Sequence, residues 1–488
     1  MKRATSIVAL ALAALISVYA LFLRPKENSI PSPSPELLAA ARPLDTYDFD
    51  LVLHPDSNQL GVTMHACFQN RWSETLPDIV LRTWAGAYAS PETSPAASDE
   101  LYNRCYPNGF SEGGFVLHDV TINEQRVTPT FDDAAHTVLR LPVTNFEPGQ
   151  WCEVSLRMVL TVPDCLHRFG RSQGVWLLGN CLPILSVYEQ GAWRTDAYAA
   201  IGDPFVSAVA NYNLTLSLPE RYTPFTSGIF EHANGLYTTT LHAVREAALL
   251  VYEQSVTASI QADGTRIVCI GRNKQQAHKP LQIAKEVLKY YNQTYGAYPY
   301  PVLMVAAVPF AFAGMEYPGM IWVGENLYGQ GLDDALELTV AHEIAHQWFY
   351  ALVGADQFRH PWQDEALCEH AMLHYVRARH GAGAYDALAR LRIAAPMQEN
   401  IREGITPGSP IDSFHDLEEY TTVVYGRGAA MLQALDVHTN GRVDDFLKEY
   451  VRRHAFALAS RQDFEITLAD VLKEDMRELL IDYLDTSM

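Results

Sequence analysis

The feature that most constrains the fold is a change of hydrophobic periodicity near residue 257. Before it, apolar and polar residues alternate, as in "YNLTLSLP", where Tyr212, Leu214, Leu216 and Leu218 fall on one face. Segments of this kind recur between Gly, Pro and Asn turns from residue 47 to about residue 255. One-sided alternation is typical of antiparallel sheets with one solvated face. We therefore predict a β-rich domain over residues 45–256.

After residue 257 the spacing becomes helical. Residues 278–295 place apolar side chains three and four positions apart, "VLMVAAV" at 302–308 indicates a buried strand, and the pattern beyond residue 331 is almost entirely helical. The sequence predicts a second, mainly helical domain over residues 257–488. The expected class is α+β with more than one domain, which suits a chain of 488 residues.

The amino terminus has the pattern of a membrane-targeting segment. Lys2 and Arg3 precede an apolar run over residues 7–23, and "PSPSP" follows it. The positive charge before the run favours an amino terminus inside and the remaining chain outside the cytoplasm. We predict a transmembrane signal anchor at 1–28 and a Pro/Ser linker at 29–44. A product secreted after cleavage behind Ala20 is the alternative.

Charge and cysteine content narrow the function classes. Asp plus Glu outnumber Lys plus Arg by 57 to 36, a net charge of −21, which argues against nucleic acid as a partner. The seven cysteines contain no C-x-x-C pair, which argues against a cysteine zinc site. Cys165 and Cys181 could close a small loop in an exported protein, and buried free thiols are the other interpretation.

The stretch "VAHEIAHQWF" carries a candidate metal site. His342 and His346 are one helical turn apart, so both imidazoles leave the same helix face and can bind one cation. A catalytic zinc site needs a third protein ligand, and Glu365 follows in "WQDEALCEH" on a predicted second helix. The sequence predicts one Zn²⁺ per chain, held by His342, His346 and Glu365, with an open fourth position.

Glu343 indicates that the candidate metal site catalyses hydrolysis. It projects about 100° around the helix from His342, where a general base for a metal-activated water should lie. Tyr425 in "VVYGRGAAML" could donate a hydrogen bond to an oxyanion, or it could be a packing residue. Glu316 lies in "AGMEYPGM", and on its own it could equally be a surface strand residue.

Taken in chain order, these motifs resemble the aminopeptidase N family of zinc metallopeptidases, which includes leukotriene hydrolase. The residues that carry the resemblance are Gly314-Met315-Glu316, His342-Glu343-x-x-His346, Glu365 and Tyr425-x-Arg427-Gly428. The resemblance implies a saddle-like β domain packed on a thermolysin-like catalytic domain. It also implies that His342, His346 and Glu365 bind zinc, that Glu343 is the base and that Tyr425 stabilises the transition state.

The resemblance further implies that Glu316, with Gly314 and Met315, binds the free α-ammonium group of a peptide. Three features depart from the family pattern. Tyr317 stands where the family has Asn, and Ala366 stands where it has Gly. The chain also ends at residue 488, soon after Tyr425, so we expect no carboxy-terminal helical domain and a more open cleft.

The predicted function is hydrolysis of the amino-terminal peptide bond of peptides by a membrane-anchored zinc aminopeptidase. The alternatives are a zinc endopeptidase, an epoxide-opening or other zinc hydrolase on the same fold, and a catalytically inactive peptide-binding module. The sequence leaves the preferred residue, the physiological substrate and the oligomeric state undetermined.

Overall fold

The computed structural model describes residues 31–98 and 100–486. The first described element is a short helix, Pro35–Ala41, inside the segment predicted to be a linker. Its formation has a local cause and a tertiary one: the Ser34 side chain accepts a hydrogen bond from the Leu37 backbone, and Leu37 and Ala41 are buried. The predicted linker over 29–44 is therefore helical over part of its length.

The predicted order of a β-rich part followed by a mainly helical part is confirmed. The β-rich part is built on an eight-stranded sheet. Its strands, in spatial order, are Glu231–Ala233, Leu236–Val244, Ala210–Ser217, Thr46–His54, Gln59–Gln69, Trp151–Thr161, Gly114–Ile122 and Gln125–Arg126. Alternate residues of Ala210–Ser217 are buried, as the period-two pattern predicts.

One pair in this sheet differs from the predicted antiparallel arrangement. Thr46–His54 runs parallel to Ala210–Ser217, with Phe49 opposite Leu214. The two strands are far apart in sequence, so no tight turn forces them to be antiparallel. The alternation of buried residues fixes which face is apolar, but it does not fix strand direction.

Three smaller sheets complete the β-rich part. One contains Thr223–Thr226, Leu249–Tyr252, Val175–Leu178 and Phe169–Ser172. A second contains Ile184–Leu185, Leu76–Arg82, Val138–Phe146 and Thr130–Phe131, and the third is the pair Tyr188–Glu189 and Ala192–Trp193. Short helices lie at Trp84–Ala89, Pro95–Ala97 and Tyr102–Cys105.

The second part begins with a five-stranded mixed sheet. Its strands, in spatial order, are Val256–Ala262, Thr265–Gly271, Val302–Val308, Met320–Gly324 and Gly314–Met315. All seven residues of Val302–Val308 are buried, as expected for the continuous apolar run. The helix Lys274–Tyr295 packs on this sheet and begins earlier than the periodicity predicts, because the Asn273 side chain caps it at Gln276.

The remaining chain is helical. The longer helices are Asp333–Ala345, Trp362–His380, Ala382–Ala389, Gly428–His438, Val443–His454, Arg461–Leu472 and Arg477–Leu484. Shorter helical turns lie at Glu325–Tyr328, Arg390–Ala394, Pro396–Gln398, Ile411–Ser413, Leu417–Tyr420 and Thr421–Arg427. We call Asp333–Ala345 the histidine helix and Trp362–His380 the return helix; the two pack against each other.

The histidine helix ends within the His342–His346 motif. It stops at Ala345, with His346 as its C-cap, and residues 346–354 are not helical. Arg245, fully buried at the end of the β-rich part, donates hydrogen bonds to the carbonyls of Tyr350 and Leu352. These carbonyls are thus satisfied without a helix, which removes the penalty for ending it early.

Two sequence expectations concern the membrane and the cysteines. No helix within residues 31–98 and 100–486 is long and apolar enough to cross a bilayer, and the predicted anchor at 1–28 lies outside those residues. All seven cysteines are free thiols, and six of them are buried. Of the two interpretations of the cysteines, the structure therefore favours free thiols over a Cys165–Cys181 bridge.

Candidate active site

The three predicted metal ligands lie together at the interface of the histidine helix and the return helix. Nε2 of His342 is 3.1 Å from Nε2 of His346 and 3.1 Å from Oε2 of Glu365. Nε2 of His346 is 3.5 Å from the same Glu365 oxygen. Ligand atoms of a tetrahedral zinc ion lie roughly 3.4 Å apart. The spacing of these three atoms and their N/N/O chemistry therefore fit zinc.

A carboxylate lies beside the other ring nitrogen of each imidazole. Nδ1 of His346 lies 2.7 Å from Oδ1 of Asp364, whose second oxygen accepts a hydrogen bond from Gln357. Nδ1 of His342 lies 3.1 Å from Oε1 of Glu369. Such partners fix the tautomer and raise the basicity of a ligating histidine.

Sequence reasoning missed Asp364 and Glu369. A signal was present, because "QDEALCE" places one acid directly before Glu365 and another one helical turn after it. Glu369 is almost completely buried, and its carboxylate accepts two hydrogen bonds from the Arg392 guanidinium. Arg392 holds the pKa of Glu369 at about 2 against the opposing effect of burial.

Glu343 lies beside the three ligands, as the helix geometry predicts. One carboxylate oxygen of Glu343, one of Glu316 and a nitrogen of His346 lie within 4.8 Å of one another. Burial raises the pKa of Glu343 to about 7, and the neighbouring His342 and His346 act in the opposite direction. A carboxylate with a pKa in this range can both accept and return a proton at neutral pH.

Gly314 lets the backbone approach this carboxylate. A Cβ atom at position 314 would lie 2.1 Å from Oε1 of Glu343, far inside van der Waals contact. The predicted motif glycine thus has a specific steric reason, which is the space occupied by the Glu343 carboxylate. Gly314 and Met315 form the edge strand that leads into Glu316.

Glu316 is a buried carboxylate and not a surface strand residue. Its Oε1 makes no hydrogen bond within the described part of the chain. Burial, and then the nearby Asp203 carboxylate, raise the pKa of Glu316 well above its usual range. An unpartnered buried carboxylate in a cavity wall is a site for a cationic ligand.

Tyr317, which departs from the family pattern, points away from the cavity. Its side chain is fully buried and its hydroxyl donates a hydrogen bond to Asn180 Oδ1. Tyr317 is absent from the residues that line the cavity described below. The Tyr side chain therefore changes the packing behind Glu316 and does not reshape the cavity wall.

A cavity of about 480 Å³ lies over these residues. Its polar floor contains Glu316, His342, Glu343, His346 and Glu365. Apolar side chains form much of the wall, namely Phe310, Phe312, Met315, Leu327, Leu338 and Met372. Three guanidinium groups also reach the wall, those of Arg104, Arg168 and Arg392.

Tyr425 contributes a phenol to the same cavity. It lies in the π-helical segment Thr421–Arg427, a geometry often found at functional sites. Its ring stacks on His342 with centroids 5.7 Å apart and planes 16° apart. Burial, and then the Glu365 carboxylate, raise the pKa of Tyr425 well above 10, so the phenol keeps its proton.

A second histidine cluster lies further along the return helix. His370 and His374 approach the two oxygens of Asp444 at 3.2 and 3.0 Å, and the Tyr295 hydroxyl donates to the same carboxylate. Each histidine thus has a hydrogen-bonding partner. The cluster ties three helices together.

Comparison with known proteins agrees with this geometry. Residues 279–483 match the family model of the Peptidase family M1 domain. Aminopeptidase M1-B of Oryza sativa subsp. japonica is 23% identical over 301 residues, which cover 56% of this chain and 34% of that protein. Aminopeptidase N of Lactobacillus delbrueckii subsp. lactis is 26% identical over 244 residues, or 45% and 28% of the two chains. The match spans about a third or less of either relative.

Solved structures share the fold along most of the chain. The M1 zinc metallopeptidase from Deinococcus radiodurans superposes with a TM-score of 0.64 at 18% identity, covering 91% of this chain and 94% of that one. A mutant M1 zinc metallopeptidase from the same organism, bound to a Tyr-Ser-Ala substrate, gives the same TM-score at 17% identity. Both the β-rich part and the helical part of this chain therefore belong to that architecture.

Proposed function

We propose that this chain, whose residues 279–483 match the Peptidase family M1 domain, is a zinc aminopeptidase that hydrolyses the amino-terminal bond of peptides. The observation that carries the proposal is the mutual spacing of 3.1–3.5 Å among Nε2 of His342, Nε2 of His346 and Oε2 of Glu365. The buried Glu316 carboxylate beside this group supports a substrate with a free amine.

His342, His346 and Glu365 would hold one zinc ion per chain. Zinc, when bound there, supplies a Lewis acid that lowers the pKa of water and polarises a carbonyl. Asp364, hydrogen-bonded to Nδ1 of His346, and Glu369, 3.1 Å from Nδ1 of His342, would favour the tautomers that leave both Nε2 atoms free to bind. This set of five side chains is preorganised by the packing of two helices.

Glu343 would accept the proton of the attacking water and deliver it to the leaving amine. Its burial beside the three ligands and its pKa of about 7 support both transfers. Gly314 leaves room for the carboxylate at this position. Tyr425, protonated and stacked on His342, would donate a hydrogen bond to the developing oxyanion.

Glu316 would pair with the α-ammonium group of the substrate. An ammonium ion held by a fixed carboxylate near the metal ligands brings the first peptide bond, and not a later one, to the reacting groups. The apolar side chains of the cavity wall supply contacts for the first residue.

The proposal is tested with a panel of aminoacyl-coumarins, with and without chelator, and with the metal content of the purified protein. We expect zinc in the protein, loss of turnover on chelation, and a ~10²–10⁴-fold lower kcat in Glu343→Gln with zinc retained. Asp334→Asn, at an exposed position in the first turn of the same helix, serves as the matched control. Absence of turnover in zinc-loaded wild-type protein would favour an inactive peptide-binding module.

Blocked peptides separate an aminopeptidase from the other hydrolase alternatives. We expect N-acetylated peptides to be poor substrates, and Glu316→Gln to raise KM for free-amine peptides while leaving blocked peptides unaffected. Equal cleavage of free and acetylated peptides would identify an endopeptidase. Turnover of epoxides in place of peptides would identify the remaining alternative.

We also propose that the catalytic part lies outside the cytoplasm, anchored by residues 1–28. The support is the sequence pattern of Lys2 and Arg3 before the apolar run at 7–23. Full-length protein is expected in the membrane fraction after alkaline washing, and a chain without residues 1–28 in the supernatant. Recovery of a processed, freely released protein from the full-length gene would instead indicate cleavage and secretion.

A further inference from the structure

Arg392 is a cation fixed on the wall of the active-site cavity. It comes from the π-helical turn Arg390–Ala394, and its side chain is 40% exposed. Nε and Nη2 donate to the two oxygens of Glu369. Nη1 makes no hydrogen bond to a described residue. One edge of the guanidinium is therefore held rigidly, and the other is free to bind a ligand.

The contacts associate Glu316 and Arg392 with different histidines of the proposed ligand set. Glu316 and Glu343 lie beside His346. Arg392 reaches the site through Glu369, which contacts Nδ1 of His342, the other histidine. The cavity wall therefore has a carboxylate beside His346 and a guanidinium that is linked to His342 through Glu369.

This polarity matches the two ends of a short peptide. With the amine at Glu316 and the scissile carbonyl at the metal ligands, the residues after the scissile bond extend toward His342 and Arg392. The position of the metal and the Arg392 guanidinium are separated by the His342 imidazole, its 3.1 Å contact with Glu369 and the Glu369–Arg392 hydrogen bonds, roughly 8–10 Å in all. That is about two to three extended residues.

The other two cavity arginines, Arg168 and Arg104, already have partners near the segment that leads into Glu316. Arg168 pairs with the Asp203 carboxylate, and its Nε contacts the Met315 sulfur. Arg104 donates to the Ala311 carbonyl and lies over the Phe312 ring. Both contact the segment that leads into Glu316, so neither is placed to bind the far end of a peptide.

We propose that Arg392 binds a substrate carboxylate on the leaving-group side of the scissile bond. The carboxylate is either the carboxy terminus of a di- or tripeptide or an acidic side chain at the second or third residue. Guanidinium–carboxylate pairing of this kind selects for the anion over its amide. This inference rests on the proposed aminopeptidase function and names its substrate class.

The test compares Leu-Ala-Ala as the free acid and as the carboxamide. A single charge-assisted contact corresponds to roughly a 10- to 100-fold preference for the acid in kcat/KM, carried mainly by KM. In Arg392→Gln we expect the acid and the amide to be cleaved equally. Arg104→Gln, which removes a cavity cation that contacts Ala311 and Phe312, should keep the wild-type ratio of acid to amide cleavage.

Two arms identify the source of the carboxylate. Faster cleavage of Leu-Asp-Ala-amide than of Leu-Asn-Ala-amide would show that Arg392 binds an acidic side chain. Faster cleavage of Leu-Ala-Ala acid than of its amide would show that Arg392 binds the carboxy terminus. Leucyl-coumarin carries no carboxylate, so it measures any general effect of Arg392→Gln that is transmitted through Glu369 and His342. The kcat/KM for each peptide is divided by the kcat/KM of the same protein for leucyl-coumarin.

Binding gives a readout that does not depend on turnover. In the Glu343→Gln background, calorimetry should show tighter binding of Leu-Ala-Ala acid than of its amide, and the difference should vanish when Arg392→Gln is added. Equal wild-type rates and affinities in both arms would overturn the proposal, as would a preference that survives Arg392→Gln. Failure of the proposed function is distinct, because leucyl-coumarin would then not be cleaved at all.

Discussion

Nδ1 of His342 lies 3.1 Å from Oε1 of Glu369, one helical turn beyond Glu365 on the same helix. The return helix therefore carries both a proposed metal ligand and the carboxylate that orients a second one. Arg392 in turn donates two hydrogen bonds to the Glu369 carboxylate. Rotation of this helix would disturb several of the proposed contacts at once.

Replacing Glu369 with Gln is expected to weaken zinc binding by about 10- to 100-fold. The variant removes the negative charge that supports His342 and leaves the Arg392 guanidinium without its counter-ion. Competition against a chelator of known affinity measures the change. Glu474→Gln alters an exposed glutamate–histidine pair and should have no effect. Unchanged zinc affinity in Glu369→Gln would show that the contact does not support the ligand.

Replacing Tyr425 with Phe is expected to lower kcat by ~10²–10³-fold with little change in KM. The ring can still stack on His342, but the hydrogen-bond donor to the oxyanion is lost. Steady-state kinetics on aminoacyl-coumarins checks this. Tyr385→Phe, which removes a hydroxyl that accepts from Gln433 outside the cavity, is the control. A change confined to KM would assign Tyr425 to substrate binding.

Gly314→Ala is expected to reduce turnover by ~10²-fold without loss of metal. The new methyl group would overlap Oε1 of Glu343 and push the base away from its position. Gly383→Ala is the matched control, because a Cβ there meets nothing within 4 Å. If Gly314→Ala is as active as wild type, Glu343 tolerates displacement and cannot be the positioned base.

Glu246 is expected to make the stability of the fold decrease with rising pH. It is buried, and burial raises its pKa from 4.5 to about 7. Between these pH values the folded state holds a proton that the unfolded chain has lost, so stability falls as pH increases. The full effect above pH 7 is ~3 kcal/mol.

Thermal unfolding of wild type and Glu246→Gln at pH 5 and pH 8 checks this expectation. The Gln side chain can keep the hydrogen bond from the Tyr350 hydroxyl without carrying a charge. The melting temperature of the variant relative to wild type should therefore rise by a few degrees from pH 5 to pH 8. If the melting temperatures of the two proteins change equally between pH 5 and pH 8, ionisation of Glu246 does not destabilise the fold.

The local parts of the site were accessible from sequence, because they depend on helix and strand periodicity. His342 and His346 share a face at a spacing of four wherever a helix forms, and Glu343 then lies beside them. The alternation in Ala210–Ser217 likewise predicted which side chains are buried. The family resemblance, which the comparisons confirm, supplied the rest of the ordered motif set.

Contacts between distant segments decided what the sequence could not. The end of the histidine helix at Ala345 depends on Arg245, about a hundred residues earlier in the chain, which satisfies the freed carbonyls. The parallel pairing of Thr46–His54 depends on a strand from another region. Local periodicity reports neither the contact with Arg245 nor the pairing with Ala210–Ser217, because both depend on residues that are distant in sequence.

The sequence by itself determined the order of the two structural classes and a helix with two histidines one turn apart and an adjacent acid. Only the tertiary structure decided that Glu369 contacts His342, that Glu316 is buried beside Glu343, and that Arg392 reaches the same cavity. The physical reason is that a side chain's charge and hydrogen-bonding partners depend on what packs around it. These neighbours come from five or more segments that only the folded chain brings within a few ångströms of one another.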